Sequence, residues 1–376
     1  MNIIYISKSI IPSRAANSIH VMKMCQAFAD NGHNVVLLAP DLKNYYESNV
    51  KDIYEYYGVK KNFEIKKLYH PNLRIGAFLY IAAIFFYLFT KNRSNLVYGR
   101  FLHGIYIATF LKYKVIYESH APIFEGKGHR LLVFQKLIKS TNFKKLVVIS
   151  QVLKDLYLSQ GYLSNSKIQV AHDGADEVKD FELKTSLLGL KNNLKVGYVG
   201  HLYKGKGMEI ILSLANKLDE DIEIHIIGGL EEDIQFWKKK VLDKNIYFYG
   251  FVPHKNVGSY INALDICLLP NQKIILAHGS NPSNTSLNIS SFTSPLKLFE
   301  YMSYKKPIIA SDLPVIREVL NENNSILVKY NDTDLWLNSI KKLKNRELRD
   351  TISSQIRNDF NKFTWKKRAL ELLNDI

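Results

Sequence analysis

Short apolar runs alternate with amphipathic stretches along almost the whole chain. In the first half the runs are Asn2–Ser7, Asn34–Ala39, Leu96–Tyr98, Lys114–Glu118, Leu146–Ile149 and Ile168–Ala171. Such short runs, rich in Ile, Val and Tyr, predict strands covered on both faces. Between them, Ser18–Asp30 and Gln151–Gln160 repeat their apolar positions with a helical period. Gly161 follows the second, where a left-handed residue can stop a helix. After the polar stretch FELKTSLLGLKNN the pattern restarts with Lys195–Gly200, Glu223–Ile227, Ile246–Tyr249, Ile266–Leu269, Ile308–Ala310 and Ser325–Val328. The segment from Arg346 onward reads as helical. Alternation of this kind predicts an α/β fold of two doubly wound parallel-sheet domains. The expected ranges are 1–180, a linker at 181–194, 195–355, and a last helical segment at 356–376.

One stretch departs from the pattern. Ile75–Phe89 (IGAFLYIAAIFFYLF) is apolar throughout and is flanked by Arg74 and Lys91. A spanning helix needs about 20 such residues, so this one is too short to cross. Two readings stay open: a buried core helix, or a helix half-sunk in a membrane surface. The aromatics and basic flanks favour the second.

Composition narrows the class. The 376 residues are 47% hydrophobic and 23% charged, which excludes disordered and fibrous proteins. Cys25 and Cys267 are too few for a disulfide framework or a zinc finger, and their apolar surroundings predict buried thiols in a reducing compartment. The N-terminal apolar run is too short for a signal peptide. The expectation is a cytoplasmic protein, peripheral on the inner face of the plasma membrane. Net charge is +16, and residues 1–180 hold 24 Lys+Arg against 13 Asp+Glu. A half so basic should seek an anionic partner: nucleic acid, an anionic membrane or a phosphorylated substrate.

Doubly wound sheets bind ligands outside the carboxyl ends of their strands, so the strand-to-helix loops are where chemistry is expected. The sequence LKVGYVG–HLYKGKG–MEIILSLANKL reads as strand, Gly- and Lys-rich loop, helix. Glycines let backbone approach a ligand and a lysine adds a point charge, which makes Lys206 a phosphate candidate. The loop matches neither the P-loop nor G-x-G-x-x-G. In SFTSPLKLFEYMSYKKPIIASDLP, Ser294 is expected as N-cap and Pro295 as first helical residue, with N–H groups from Ser294 to Lys297 open to an anion. Glu300, six residues on, can accept from a vicinal diol such as a ribose, or serve the helix dipole. In KVIYESHAP, His120 lies past a strand end with Glu118, as a partner for a sugar hydroxyl or phosphate, or as a histidine satisfied by backbone. Ala15, Ala16 and Asn17 are small enough to admit a ligand to the first helix. Asp173 and Asp176 in VAHDGADEV read as a turn rather than a metal pair. No other cluster has metal spacing, and the catalytic triad motif G-x-S-x-G is missing. The longest irregular stretch, Asn271–Thr293, is of the length that usually serves function.

These residues together resemble the glycosyltransferase family 4 enzymes, retaining group 1 glycosyltransferases of the GT-B fold. AANSIHV with FADNGHNVVLL, then VYGR, YESH, VISQ and HDGAD, are similar to the family's first-domain landmarks. VGHLYKGKG is like its donor-phosphate loop, and SPLKLFEYMSYKKPIIASDLPVIREV is the most specific piece. TWKKRA resembles the final helix, which in the family crosses back onto the first domain. The resemblance runs nearly end to end and implies two Rossmann-like domains facing across a cleft. It implies that Lys206 holds the donor diphosphate, that Ser294, Leu296 and Lys297 beside Pro295 add hydrogen bonds there, and that Glu300 binds the ribose. It implies that Val252 in FYGFVPH meets the base through its backbone, that His120 touches the donor sugar, and that Ala16 and Asn17 approach the phosphates. Charge stabilisation of the leaving diphosphate, with no cofactor and no essential metal, is the expected engine.

Three positions depart from the family. Phe292 stands where the first glutamate of the E-x7-E pair is usual, His201 where an arginine is usual in the donor loop, and Ala15-Ala16 where two glycines are usual. Lys204 is the substitute expected for the missing arginine charge. The expected function is transfer of a sugar from a UDP- or GDP-sugar to a lipid-linked surface-glycan precursor for polysaccharide, O-antigen or capsule. The alternatives are a non-catalytic GT-B scaffold protein, motivated by Phe292, and a DNA-modifying glycosyltransferase. The second lacks the aromatic-and-basic stripe that single strands use.

Overall fold

A computed structural model describes residues 1–92, 95–123, 128–178, 183–241, 245–275 and 288–376. It divides into two units. Unit 1 comprises Met1–Asp173 with Trp365–Ile376, and unit 2 comprises Gly174–Thr364.

Unit 1 is built on a parallel sheet of β1 (Asn2–Ile6), β2 (Asn34–Asp41), β3 (Glu64–Tyr69), β4 (Leu96–Gly99), β5 (Lys114–Ser119), β6 (Phe143–Val148) and β7 (Ile168–Val170). Its strand order is β3-β2-β1-β4-β5-β6-β7. The order reverses between β1 and β4, and a crevice at the carboxyl ends is expected there. Its helices are α1 (Ala16–Asp30), α2 (Ile53–Tyr57), α3 (Gly76–Phe89), α4 (Leu102–Phe110), α5 (His129–Ile138) and α6 (Gln151–Ser159).

Unit 2 repeats the plan with β8 (Leu194–Val199), β9 (Ile222–Ile227), β10 (Ile246–Gly250), β11 (Ile266–Leu269), β12 (Ile308–Ser311) and β13 (Ile326–Val328), in the order β10-β9-β8-β11-β12-β13. Its helices are α7 (Met208–Ala215), α8 (Glu231–Lys238), α9 (His254–Ala263), α10 (Leu296–Ser303), α11 (Pro314–Arg317), α12 (Thr333–Lys342) and α13 (Arg346–Phe360). The last helix, α14 (Trp365–Glu371), belongs to unit 1 and packs on α1.

The inner strands are fully buried, from Ile3–Ile6 in unit 1 to Ile308–Ala310 in unit 2. That is why they read as unbroken apolar runs. The strand that the pattern did not predict is β3. It is an edge strand, half-buried, with Lys66 and Lys67 in its middle. Charged residues protect an edge from pairing with another chain, and they also hide it from a hydrophobicity reading.

The apolar stretch of α3 resolves into two faces. Tyr80, Ile84 and Leu88 are buried at four-residue spacing, whereas Phe78, Phe86 and Phe89 are 70%, 68% and 65% exposed. The helix is neither a core helix nor a span. Among the described residues no helix is long and apolar enough to cross a membrane. Cys25 and Cys267 are both buried and free, and burial raises both thiol pKa values, Cys267 to about 12.

Candidate functional site

In unit 2 the order reversal falls between β8 and β11, and the loops leaving these two strands pack on each other. Gly207 has φ +84, and a Cβ there would lie 2.1 Å from the Pro270 carbonyl oxygen. Only glycine combines that backbone with that approach. Gln272 N–H donates to the Gly205 carbonyl at 3.0 Å, which ties the two loops further. Lys206 lies between these glycines, its ammonium 5.2 Å from the Tyr203 ring centroid.

Lys206 and Lys297 are close enough to feel each other. Burial, and then the Lys297 charge, push the Lys206 ammonium down to about 8. Lys297 Cε would be 3.2 Å from a Cβ at Gly200, so the lysine stem runs along the β8 end. Among the described residues neither lysine has a carboxylate partner. Two cations gathered without an anion make a region of positive potential suited to a phosphate.

Helix α10 brings Lys297 to this place by burying Leu298, Phe299, Tyr301 and Met302. Tyr301 Oη accepts from Val199 N–H at 2.9 Å and so pins the helix to the end of β8. The helix start differs from expectation. The N-cap is Pro295, with ψ 118, and Leu298 N–H closes the first turn on its carbonyl at 3.0 Å. Proline lacks a donor but keeps its carbonyl acceptor, so it can take the cap position. Ser294 therefore lies one residue outside the helix and is buried. The open N–H groups of the first turn are those of Leu296 and Lys297, not a run from Ser294.

Glu300 sits one turn further, and the structure adds a partner that sequence reasoning missed. His254, the first residue of α9, has Nε2 3.0 Å from Glu300 Oε1. The signal was present in FYGFVPH, where a proline precedes a helix-opening histidine. Val252 lies two residues before His254, in the loop after β10. His201 is half-buried, its carbonyl accepts from Tyr198 Oη at 2.7 Å, and its ring lies 5.7 Å from Tyr203. Lys204 is exposed on the same loop. Phe292 is buried at 5% exposure and serves packing. Of the irregular stretch 271–293, residues 276–287 lie outside the described residues.

In unit 1 the strand-end residues form a closed ionic network. Glu118, 1% exposed, ends β5. Its Oε1 meets His120 Nε2 at 2.5 Å and accepts from Arg368 Nη2 at 3.0 Å, while Tyr98 donates to Oε2. His20 on α1 bridges to Asp173, Nδ1 to Oδ1 at 2.9 Å. Its Nε2 lies 2.9 Å from Glu118 Oε1 without the alignment of a hydrogen bond. Burial opposes ionisation of Glu118, but Arg368 and His20 outweigh it and hold the carboxyl well below its usual range. Asp173 is likewise held low against burial by His20. Burial, then the Arg100 charge, lower the His120 imidazole to about 3, so it is neutral at pH 7. A neutral imidazole can donate or accept, which suits a sugar hydroxyl.

This network corrects one expectation: Asp173 is no turn-former but the buried partner of His20. It also brings His20, His120 and Asp173 within metal-ligand spacing, all ligand atoms within 4.8 Å of one another. The Asp173 carboxylate that a cation would use is already bonded to His20 and lies in the field of Arg368. At the start of α1, Ala16 and Asn17 are exposed, and Ala15 is an N-cap without a side-chain bond. The helix begins two residues before the expected Ser18, so its first N–H groups face solvent beside these small residues.

Comparison with known proteins places this geometry. Residues 193–346, most of unit 2, match the family model described as glycosyl transferases group 1. That match, together with the relatives that follow, supports a group 1 glycosyltransferase family for this chain. An uncharacterized glycosyltransferase of Methanocaldococcus jannaschii is 26% identical over 374 residues, covering 91% of this chain and 89% of that protein. The capsular polysaccharide biosynthesis glycosyltransferase CapM of Staphylococcus aureus is 24% identical over 249 residues, 60% of each chain. Among solved structures, Anabaena HepE in complex with UDP-glucose superposes with a TM-score of 0.70 at 16% identity, covering 100% of both chains. That likeness establishes the GT-B fold for the two-sheet chain. Each of the two units carries the doubly wound sheet of that fold, and the family match and the relatives support a transferase.

Proposed function

We propose that this glycosyltransferase moves a sugar, with retention of anomeric configuration, from a UDP- or GDP-sugar to a lipid-linked precursor of a surface glycan. The observation that carries the donor reading is the pair Lys206 and Lys297, held without a carboxylate partner beside the open end of α10. HepE binds UDP-glucose, which supports a nucleotide-sugar donor here. CapM, a capsule enzyme, supports a surface-glycan product.

In this reading Lys206 and Lys297, with the N–H groups of Leu296 and Lys297, take the charge that grows on the departing diphosphate. Glu300, oriented by His254, receives the two ribose hydroxyls, and the Val252 backbone meets the base. Ser294, Pro295 and His201 shape the surrounding wall. On unit 1, His120 offers its neutral imidazole to a sugar hydroxyl, and the start of α1 at Ala16 and Asn17 offers backbone N–H groups to phosphate. The bond from the anomeric carbon to the diphosphate oxygen breaks, and the acceptor oxygen bonds that carbon on the same face. The acceptor proton leaves with the diphosphate. No residue is assigned as a covalent nucleophile, and no metal or other cofactor is invoked. The exposed aromatic face of α3, between Arg74 and Lys91, seats the protein peripherally on an anionic membrane where such an acceptor is presented.

The test is thermal-shift binding of UDP, GDP, CMP and their sugar conjugates to the wild type, Lys206→Ala and Glu300→Ala. A ligand at about 100 times its dissociation constant should add roughly 2.7 kcal/mol. Stabilisation by one nucleoside diphosphate, lost in both variants, supports the reading. A folded protein that responds to no nucleotide sinks it and leaves the scaffold alternative.

A further inference from the structure

The order reversal of unit 1, between β1 and β4, carries a second concentration of positive charge that the donor reading does not use. Lys8 leaves β1, Arg100 leaves β4, and His129 and Arg130 open α5 after β5, so the three loops come from neighbouring strands. Lys8 Nζ lies 6.0 Å from the Phe101 ring centroid. Phe101 contacts His103 at 5.7 Å, and His103 stacks on His129 with centroids 5.4 Å apart and planes 11° from parallel. Charge reports the same neighbourhood. After burial and His129, Arg130 and Lys8 push the His103 imidazole down. Tyr117 on β5 feels both Arg130 and Arg100.

These cations are not spent on the protein. Among the described residues, Lys8, Arg100 and Arg130 have no carboxylate partner. Arg100 Nη1 is buried with no hydrogen-bond acceptor. A buried guanidinium nitrogen without an acceptor costs the protein its desolvation and signals a missing anion. The contrast with Arg368, whose Nε, Nη1 and Nη2 all have partners, is plain within the same unit.

The cluster adjoins α3. Tyr80, on the buried face of that helix, stacks on Phe101 at 5.7 Å and donates to the Ser7 carbonyl at 2.5 Å. One side of α3 thus leans on the basic loops while Phe78, Phe86 and Phe89 face outward. An apolar surface beside an unneutralised basic pocket has the two chemistries of a lipid that ends in phosphate.

We propose that Lys8, Arg100 and Arg130 form an anion site on unit 1 that holds the phosphate or diphosphate of a lipid-linked sugar acceptor. The acceptor role rests on the sugar-transfer reading above; the anion site itself does not. Arginines suit it because a planar fork matches two phosphate oxygens at once. The stacked histidine pair forms one wall.

The test is calorimetric titration of inorganic diphosphate into the full chain held in saturating UDP. Binding should persist with the donor site filled, persist in Lys206→Ala, and weaken at least tenfold in Arg100→Gln/Arg130→Gln. UDP affinity of that double variant should be unchanged, which also shows that it folds. Diphosphate binding that UDP abolishes, or that the double variant retains, overturns the site. Two vesicle arms separate the sources of phosphate. The double variant should lose sedimentation with phosphatidylcholine vesicles carrying a polyprenyl diphosphate and keep it with phosphatidylglycerol vesicles. Equal loss on both would assign the cluster to general membrane charge and overturn the acceptor role. If neither UDP nor GDP binds while diphosphate does, the donor reading has failed and the anion site stands.

Discussion

Arg368 on the last helix donates to Glu118 Oε1 at 3.0 Å, across 250 residues of sequence. Arg368 is 4% exposed, and its guanidinium also donates to the His172 and Ala171 carbonyls. This one side chain closes the chain's last helix onto the β5 end and neutralises the carboxylate that positions His120. The C-terminal segment is therefore part of unit 1 by chemistry as well as by packing.

Arg368→Met should leave the buried Glu118 carboxylate without its guanidinium partner, costing up to about 3–5 kcal/mol of unit 1 stability. Urea denaturation measures it. Pairing the change with Glu118→Gln should restore part of the loss, because the uncompensated charge is then gone. Equal losses in the single and double variants would mean that shape, not charge, holds α14.

Nucleotide affinity should fall as pH rises past 8. The Lys206 ammonium, lowered to about 8 by burial and Lys297, loses its proton there, and a neutral amine binds diphosphate poorly. UDP titrations from pH 7 to 9.5 should weaken by about tenfold per unit above the lysine pKa, since each unit removes most of the remaining charged form. Lys206→Arg should flatten the profile. A flat wild-type profile would remove Lys206 from the phosphate.

Glu300 and the phosphate groups should separate by ligand. Glu300→Ala should weaken UDP by about 1.5–3 kcal/mol, the worth of hydrogen bonds to a charged group, and leave inorganic diphosphate binding unchanged. His254→Phe should do the same more weakly, by freeing Glu300 to reorient. Loss of both ligands together would mean that Glu300 holds α10 rather than the ribose.

Stability should fall as pH drops below 6.5. His120, lowered to about 3, and His225, lowered to about 4 by burial and then Lys195, are neutral in the fold and protonated once unfolded. A depressed folded pKa means that the unfolded state binds the proton first, so stability is full above about pH 6.5 and declines steadily below it. Melting temperatures from pH 7.5 to 4.5 measure the slope. His225→Phe should make it shallower.

Membrane seating should depend on the outward face of α3. Replacing Phe78, Phe86 and Phe89 together by serine removes side chains worth about 1.5–3 kcal/mol each when buried. Sedimentation with anionic vesicles should fall at least tenfold, and UDP affinity should hold. Raised salt should weaken the wild type as well, because the basic flanks are screened. Undiminished sedimentation would put the contact elsewhere.

Much of the fold was legible in order of residues alone. Both sheets, and twelve of their strands, follow from short apolar runs separated by helical period, because parallel strands buried on both faces are mostly apolar. The strand that escaped, β3, carries Lys66 and Lys67 because an edge needs them. The placement of Lys206 in a glycine-rich loop and of Glu300 near a helix start was legible too, since both are local signals. What local signals cannot express is a partner far along the chain. His254 with Glu300, His20 with Asp173 and Arg368 with Glu118 join residues 46, 153 and 250 positions apart.

The two-domain α/β plan, the basic first half, the glycines that let the loop between β8 and α7 close, and the apolar length of α3 are all readable from the chain alone. Each is written in composition, period or backbone freedom, and none needs a distant contact. Tertiary structure alone decided which face of α3 is outward, that Pro295 and not Ser294 caps α10, and that Asp173 is an ion-pair member rather than a turn. It also decided which cations, among the described residues, have a carboxylate partner and which do not. Burial and charge pairing depend on what surrounds a side chain in space, and a strand order such as β1 beside β4 sets those surroundings without leaving a mark on neighbouring residues.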